Sequence, residues 1–398
     1  MTREKMAEEL FQAGKEVKRS FLGVAEASRT GGTIDGAFYL QCVQILKNLN
    51  VLYQAIETGE ESFDRLIEDL SERAADLFDL DGEEAFVSAF VSVLDRMLMH
   101  TVRFRQRYCL IRRNDAVPGL ASHIITNLGQ IVASLDSGYI PVIDTIQADN
   151  ILTDLSRQYA VNAWELYFGQ PFIPISEVMA DGKEVRILDG IPGFMPSYDM
   201  DCLKNPELMS FWRGIMKEYM PVSAALFDSV RKCLEKLPFG NGEKILGVLC
   251  RGTDYTNIRP YNHPVQPPLK SILEKADEFM RLYGCDYCYL ATEDEKILQA
   301  FQNRFKGRLL TTQEIYYESD LKDTINDANS RRSIDLHQKN MEYLTALIVL
   351  SKCRYFIGGR TSGTVVSLLF SKGFEAEYIW DCGRYGIDDA LTLKSYIC

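Results

Sequence analysis

Three short segments combine residue types suited to holding an anion. The first is Gly247-Val248-Leu249-Cys250-Arg251-Gly252-Thr253-Asp254-Tyr255. An apolar run ends and at once presents a cation, a flexible Gly, a hydroxyl and a carboxylate. Arg offers a planar fork of donors that fits phosphate oxygens in pairs and never loses its charge. The same residues would also serve an ordinary surface turn closed by an Arg–Asp pair. The second segment, Tyr289-Leu290-Ala291-Thr292-Glu293-Asp294-Glu295, again runs from apolar into polar residues. Thr292 suits a helix cap, and the acids suit the first turn of a helix. The third, Phe356-Ile357-Gly358-Gly359-Arg360-Thr361-Ser362-Gly363-Thr364, sets small residues and hydroxyls ahead of the apolar stretch Val365–Phe370. A helix starting there would aim unpaired backbone N–H groups at an anion. Each segment alone is commonplace, but three of them on the strand ends of one domain predict a shared site.

Strands must stand behind these segments. Apolar runs at 245–250, 287–291, 308–310, 355–357 and 378–379 predict strands, and 269–283, 294–304, 339–351 and 363–372 predict helices. That alternation gives a parallel, doubly wound sheet whose ligands lie outside the C-terminal ends of the strands. An earlier αβ unit is expected from the strand Tyr108–Ile111, the turn-rich 114–120, a helix over 122–137 and a strand over 139–144. Residues 145–200 read as loop, and 205–237 as helices. Residues 1–105 read as helix after helix, over 4–27, 38–57, 62–78 and 86–98, with Gly31-Gly32 and residues 79–82 as breaks. The fold class expected is α/β, with two facing Rossmann-like domains preceded by an all-helical region. The expected domains are 1–105, 106–240 and 241–398, with a cleft between the last two.

Composition removes several function classes. The chain has 398 residues with 44 Lys+Arg against 56 Asp+Glu, a net charge of −12. That balance weighs against a nucleic-acid binder, whose affinity comes from cations on phosphates. The excess acid is concentrated in residues 1–100, with 19 acids against 10 bases, leaving 37 against 34 in the rest. No apolar run was expected to reach the ~20 residues that cross a bilayer, and the charged N-terminus lacks a signal-peptide core. Cytoplasmic residence is the expectation. The ten Cys, including Cys285-Asp286-Tyr287-Cys288, read as buried apolar residues, and with four scattered His a metal site is not expected. Asp199-Met200-Asp201 and Asp79-Leu80-Asp81 have the D-x-D form of metal-dependent transferases but read as solvated loop acids. Gly240-Asn241-Gly242-Glu243-Lys244 precedes its strand, so it reads as a turn between domains and not as a phosphate loop. The aromatic cluster over 162–168 and Trp380-Asp381 read as structural.

The ordered motifs resemble those of the alpha-1,6-fucosyltransferases and the related nodulation and protein O-fucosyltransferases. In that family the first motif has an Arg two residues after a His, then Thr and Asp; here Arg251, Thr253 and Asp254 match. His263-Pro264 is similar to the His-Pro that opens the family's next helix, and 289–294 to its strand ending in Thr and two acids. Met341–Cys353 followed by Thr361-Ser362 resembles its last motif. The resemblance covers most of 108–380 and none of 1–105. It implies the two-domain GT-B architecture and inverting, metal-independent transfer of fucose from GDP-fucose to a glycan or other hydroxyl acceptor. It further implies Arg251 and Asp254 as catalytic residues. Arg251, Thr253, His263, Thr292, Glu293, Asp294, Thr361, Ser362, Gly363 and Thr364 would bind the donor. One acid among Asp254, Glu293 and Asp294 is expected to orient Arg251 or to hold the nucleoside. Asn114 and Gly119 would lie in the acceptor-side loop. The chain departs from the family at Leu249 in place of the His, Gly252 in place of a second Arg, and Arg259 in place of the expected base. Two other readings therefore stand beside transfer of fucose. One is a non-catalytic sugar-nucleotide or glycan sensor whose helical region recruits a partner or a second copy. The other is a transferase using GDP-mannose or a UDP-sugar.

Overall fold

Apolar residues at three- and four-residue spacing give a helix one buried stripe, and the N-terminal quarter of the chain repeats that pattern. In the computed structural model it forms the helices Arg3–Arg29, Gly36–Ile56, Asp64–Ala75 and Leu80–Thr101. The structure describes residues 2–29, 36–56, 63–75, 80–105, 107–115, 117–179, 185–240, 242–319, 325, 329 and 334–387. The break expected at Gly31-Gly32, Asp79 of the break expected over 79–82, and Asn241 of the turn 240–244 lie outside these residues; Leu80, Asp81 and Gly82 instead form the first turn of the fourth helix, which corrects that expectation. An aromatic core joins the helices: ring centroids are 4.1 Å apart for Phe21–Phe90 and 4.8 Å for Tyr39–Phe86. Buried Arg105 donates to Glu8 at 2.8 Å and lies over the Phe11 ring. One stretch, Glu84–Phe104, is long and apolar enough to cross a membrane, with a hydropathy of 1.3, contrary to the sequence expectation; half of it is buried within the protein.

These helices belong to a compact unit made of Met1–Ile111, Ile131–Val142 and Phe172–Leu188. Its three-stranded sheet has the order β2-β1-β3, where β1 is Tyr108–Ile111, β2 Ile140–Ile143 and β3 Val185–Leu188. All residues of β1 and β2 are buried, as their unbroken apolar runs predict. β3 corrects the reading of 145–200 as loop. It pairs in parallel with β1 and leaves Val185 and Ile187 largely exposed at the sheet edge, so its sequence carries no buried-strand signal.

The second unit comprises 112–130, 143–171 and 189 onward. Here the strands are β4 Ile245–Leu249, β5 Tyr287–Ala291, β6 Leu309–Leu310, β7 Tyr355–Gly359 and β8 Ala376–Trp380. They form one sheet of order β6-β5-β4-β7-β8, parallel throughout. On one face Leu246, Val248, Cys288, Leu290 and Ile357 pack against Ile272, Phe279 and Phe301 of the helices Leu269–Leu282 and Glu295–Arg304. The other face receives the helix Leu336–Leu350, where a Cβ on Gly247 would come within 2.9 Å of Leu350. Covering both faces is what a parallel sheet requires. Cys285 and Cys288 are unbonded and lie in this core, and burial pushes the Cys285 thiol up to about 11. Because all five strands run the same way, residues just after them gather along one edge: 250–254, 292–295, 360–364 and 381–384.

Candidate functional site

β4 registers Leu249 against Ala291 of β5 and Gly358 of β7, so the three motif segments leave the sheet side by side. Two residues beyond β4, Arg251 keeps 28% of its side chain exposed and sets Nε 3.4 Å from Glu293 Oε1. The same Glu293 oxygen accepts from the Gly252 N–H and the Thr253 hydroxyl, both at 3.1 Å. Asp294 is buried. Its Oδ2 accepts from the Thr253 N–H at 3.1 Å, and its Oδ1 caps the helix Glu295–Arg304 through Lys296 and Ile297 N–H and also accepts from Ser319 Oγ. Two acids of β5's exit thus fix the turn that follows β4. Of the three acids expected to orient Arg251, Glu293 reaches it.

The turn is held in an unusual backbone shape. Thr253, fully buried and β-branched, has φ +49°, a left-handed conformation that costs such a residue about 1–3 kcal/mol and concentrates at functional sites. A Cβ on Gly252 would lie 2.5 Å from Asp294 Oδ2 and 2.8 Å from the Ile297 Cδ1. That crowding leaves no room for a side chain at 252. Asp254 follows in the short helix Thr253–Ile258, but its side chain lies outside the described residues.

Across β4, the helix Ser362–Phe370 begins directly after β7 and Arg360. Thr361 is its cap: Thr361 Oγ1 accepts from the Thr364 N–H at 3.1 Å, and Thr364 Oγ1 donates back to the Gly359 carbonyl at 2.5 Å. Both hydroxyls are therefore engaged inside the protein, and partly exposed Ser362 is the hydroxyl that faces outward. Gly363 lets a side chain from elsewhere approach: a Cβ there would stand 2.9 Å from the Tyr343 hydroxyl. Thr292 is buried, with its N–H donating to Gln313 Oε1 and its hydroxyl accepting from the Asp294 N–H.

A second polar corner forms beyond β7 and β8. Arg360, 8% exposed, donates Nε to the Tyr198 carbonyl at 2.9 Å, Nη2 to Asp199 at 2.7 Å, and Nη1 to Asp381. Arg384 adds a bond to the same Asp199 oxygen and two to Asn262. Asp199 is thus the hub of an ion-pair cluster, which corrects its reading as a solvated loop acid. Partial burial would raise its pKa, but the Ser197 hydrogen bond and the Arg384 and Arg360 charges hold the carboxyl below its usual range. His263 belongs to this corner: residues 262–265 pair with 383–385 through backbone bonds. Desolvation of its ring and the Arg384 charge keep its imidazole below the ordinary value.

Asn114 bonds both oxygens of Asp189 and accepts from the Asp149 N–H, and the Gly119 carbonyl caps the helix Leu120–Asp136. Trp164, Tyr167 and Phe168 are fully buried core residues, as expected. Among the described residues no three His, Cys, Asp or Glu side chains gather as a metal would need. A concavity between Asp277, Arg281, Arg304 and Arg308 lies at the other edge of the sheet, ahead of β6. There Arg304 closes on Asp277, and Arg308 donates to the Cys285 and Asp286 carbonyls. Sequence reasoning missed Tyr343 and the Arg360 cluster, because their partners come from distant segments.

No protein-family model matches the chain. No curated protein matches it in sequence. Solved structures do match. NodZ alpha-1,6-fucosyltransferase soaked with GDP-fucose aligns with a TM-score of 0.41 and 11% identity, covering 67% of this chain and 93% of that one. NodZ from Bradyrhizobium itself gives the same score and identity, over 67% and 94%. POFUT1 in complex with GDP aligns at 0.35 and 10%, covering 71% and 99%. A substituted Arabidopsis thaliana FUT1 in complex with GDP aligns at 0.38 and 9%, covering 84% and 78%.

Proposed function

We propose that the protein is a glycosyltransferase that draws its sugar from a nucleoside diphosphate donor, GDP-fucose, and inverts the anomeric carbon without a metal. The observation that carries this reading is Arg251. It stands at the end of β4, braced by Glu293 and beside the N-terminal turn of the helix Ser362–Phe370. Breaking the sugar–phosphate bond leaves negative charge on the departing diphosphate. Donors already aimed at that charge are the main means of lowering the barrier. Arg251 supplies a fixed positive fork, and Ser362 with the open N–H groups of the helix supplies neutral donors. Glu293 and Asp294 do not touch the donor in this scheme; they set the angle of the strand-end turn.

The test is thermal denaturation of the full chain with GDP, UDP and GDP-fucose, followed by release of GDP from GDP-fucose. GDP at 100 times its Kd should add ~2.7 kcal/mol of stability, with UDP weaker, and chelator should change neither binding nor release. No stabilisation by any nucleoside diphosphate would overturn the reading. A second reading, binding without turnover, is favoured by Arg259. This exposed residue with φ +50° stands where the family carries its base. GDP release, even slow and without acceptor, decides for the enzyme.

A further inference from the structure

We propose that the Tyr343 hydroxyl is a further donor to the bound diphosphate and forms the third wall of the anion site, a conclusion that rests on the nucleoside diphosphate reading above. Tyr343 lies on the helix Leu336–Leu350, whose N-terminal half stands at the edge where the strands end. Its oxygen sits 2.9 Å from where a Cβ on Gly363 would be, against the first turn of the helix Ser362–Phe370. The charges of both Arg251 and Glu293 act on it, and burial, the larger cause, pushes its pKa up to about 12. It is therefore a protonated, neutral donor within the field of the site's cation.

Its place beside the helix start and the availability of its hydroxyl set it apart from several fully buried tyrosines of this unit, which are engaged. Tyr289 bonds Thr312 at 2.6 Å, Tyr167 bonds His337 and Asn340 at 3.2 Å, and Tyr317 bonds Asn329. Among the described residues the Tyr343 hydroxyl makes no hydrogen bond, nor is it sealed from water. Tyr343 is half-buried, with its hydroxyl open to water, so the donor is free to turn to a ligand that displaces that water. An anionic oxygen held between Arg251 and the helix N-terminus is such a ligand. Gly363 is the residue that leaves room for it: a Cβ there would meet the Tyr343 hydroxyl at 2.9 Å and Leu249 and Leu347 at ordinary contact distance, so the phenol is the group that would have to shift.

The experiment compares GDP binding by titration calorimetry in the full chain and in Tyr343→Phe, Gly363→Ala and Arg251→Ala, with each unliganded melting temperature. Tyr343→Phe should melt as the unsubstituted chain does and bind GDP roughly tenfold or more weakly, as loss of one hydrogen bond to a charged group predicts. Gly363→Ala keeps the tyrosine but displaces its hydroxyl, and should show a similar loss. If Tyr343→Phe binds GDP like the unsubstituted chain while Arg251→Ala does not, the inference fails and the nucleotide reading stands. A fall in unliganded melting temperature matching the affinity loss would assign Tyr343 to structure and also overturn it. Absence of GDP binding by the unsubstituted chain sinks both.

Discussion

Two arginines leave neighbouring strands of one sheet, and their surroundings differ. Arg251, after β4, has 28% of its side chain exposed, and its Nε lies 3.4 Å from Glu293 Oε1. Arg360, after β7, is 8% exposed and donates to two aspartates and a carbonyl. The first keeps a partly exposed face beside Glu293; the second is nearly buried, with all three of its nitrogens engaged. In sequence the two look alike, Arg-Gly-Thr against Arg-Thr-Ser. A nearly buried cation with three engaged nitrogens ties segments together, while the exposed face of Arg251 is what the proposed donor would meet.

Exchanging the two roles by mutation gives the sharpest test. Arg251→Ala should cut GDP release from GDP-fucose by ~10²–10³ while moving the melting temperature little, since the residue is partly exposed. Arg360→Ala should do the reverse at the level of stability, with a loss of about 1–3 kcal/mol in urea unfolding, because a nearly buried side chain and its bonds to Tyr198, Asp199 and Asp381 are removed together, while Arg384 still pairs with Asp199. Equal stability losses in the two variants would erase the distinction. Gly252→Ala drives a methyl into Asp294, so it should cost about 1–3 kcal/mol and weaken GDP binding too, linking brace to cation. The smallest effect concerns Asp199. Its folded pKa is depressed, so its contribution is present above about pH 4 and is lost as pH falls through the folded value. Asp199→Asn should melt roughly 1–3 °C lower at pH 7, and the gap should close toward pH 3. A gap that persists in acid would mean that the carboxylate charge is not what matters.

Much of the second sheet was legible in the sequence because its strands are continuous apolar runs ended by polar residues, the signature of burial on both faces. β3 was not, since an edge strand with Val185 and Ile187 exposed has no such run. The hydroxyls of Thr361 and Thr364 were read as ligand donors, yet their first partners are each other and their own backbone. Helix capping and anion binding ask for the same residue types, so sequence does not separate them. Asp199 was misread because the arginines that claim it lie 161 and 185 positions away. Tyr343 was invisible for a related reason: its meaning comes from Gly363 and from the availability of its hydroxyl, and neither leaves a local pattern.

The left-handed Thr253 gives the turn a mechanical character. Strain of that size is kept only while Glu293 and Asp294 grip the backbone, so the direction of Arg251 is set like a latch by two acids on another strand. Loosen either acid and the turn relaxes, carrying the cation off its line with every motif residue still in place. The aim of the site is thus a property of an angle, and a chain could lose its activity there without changing any group that meets the ligand.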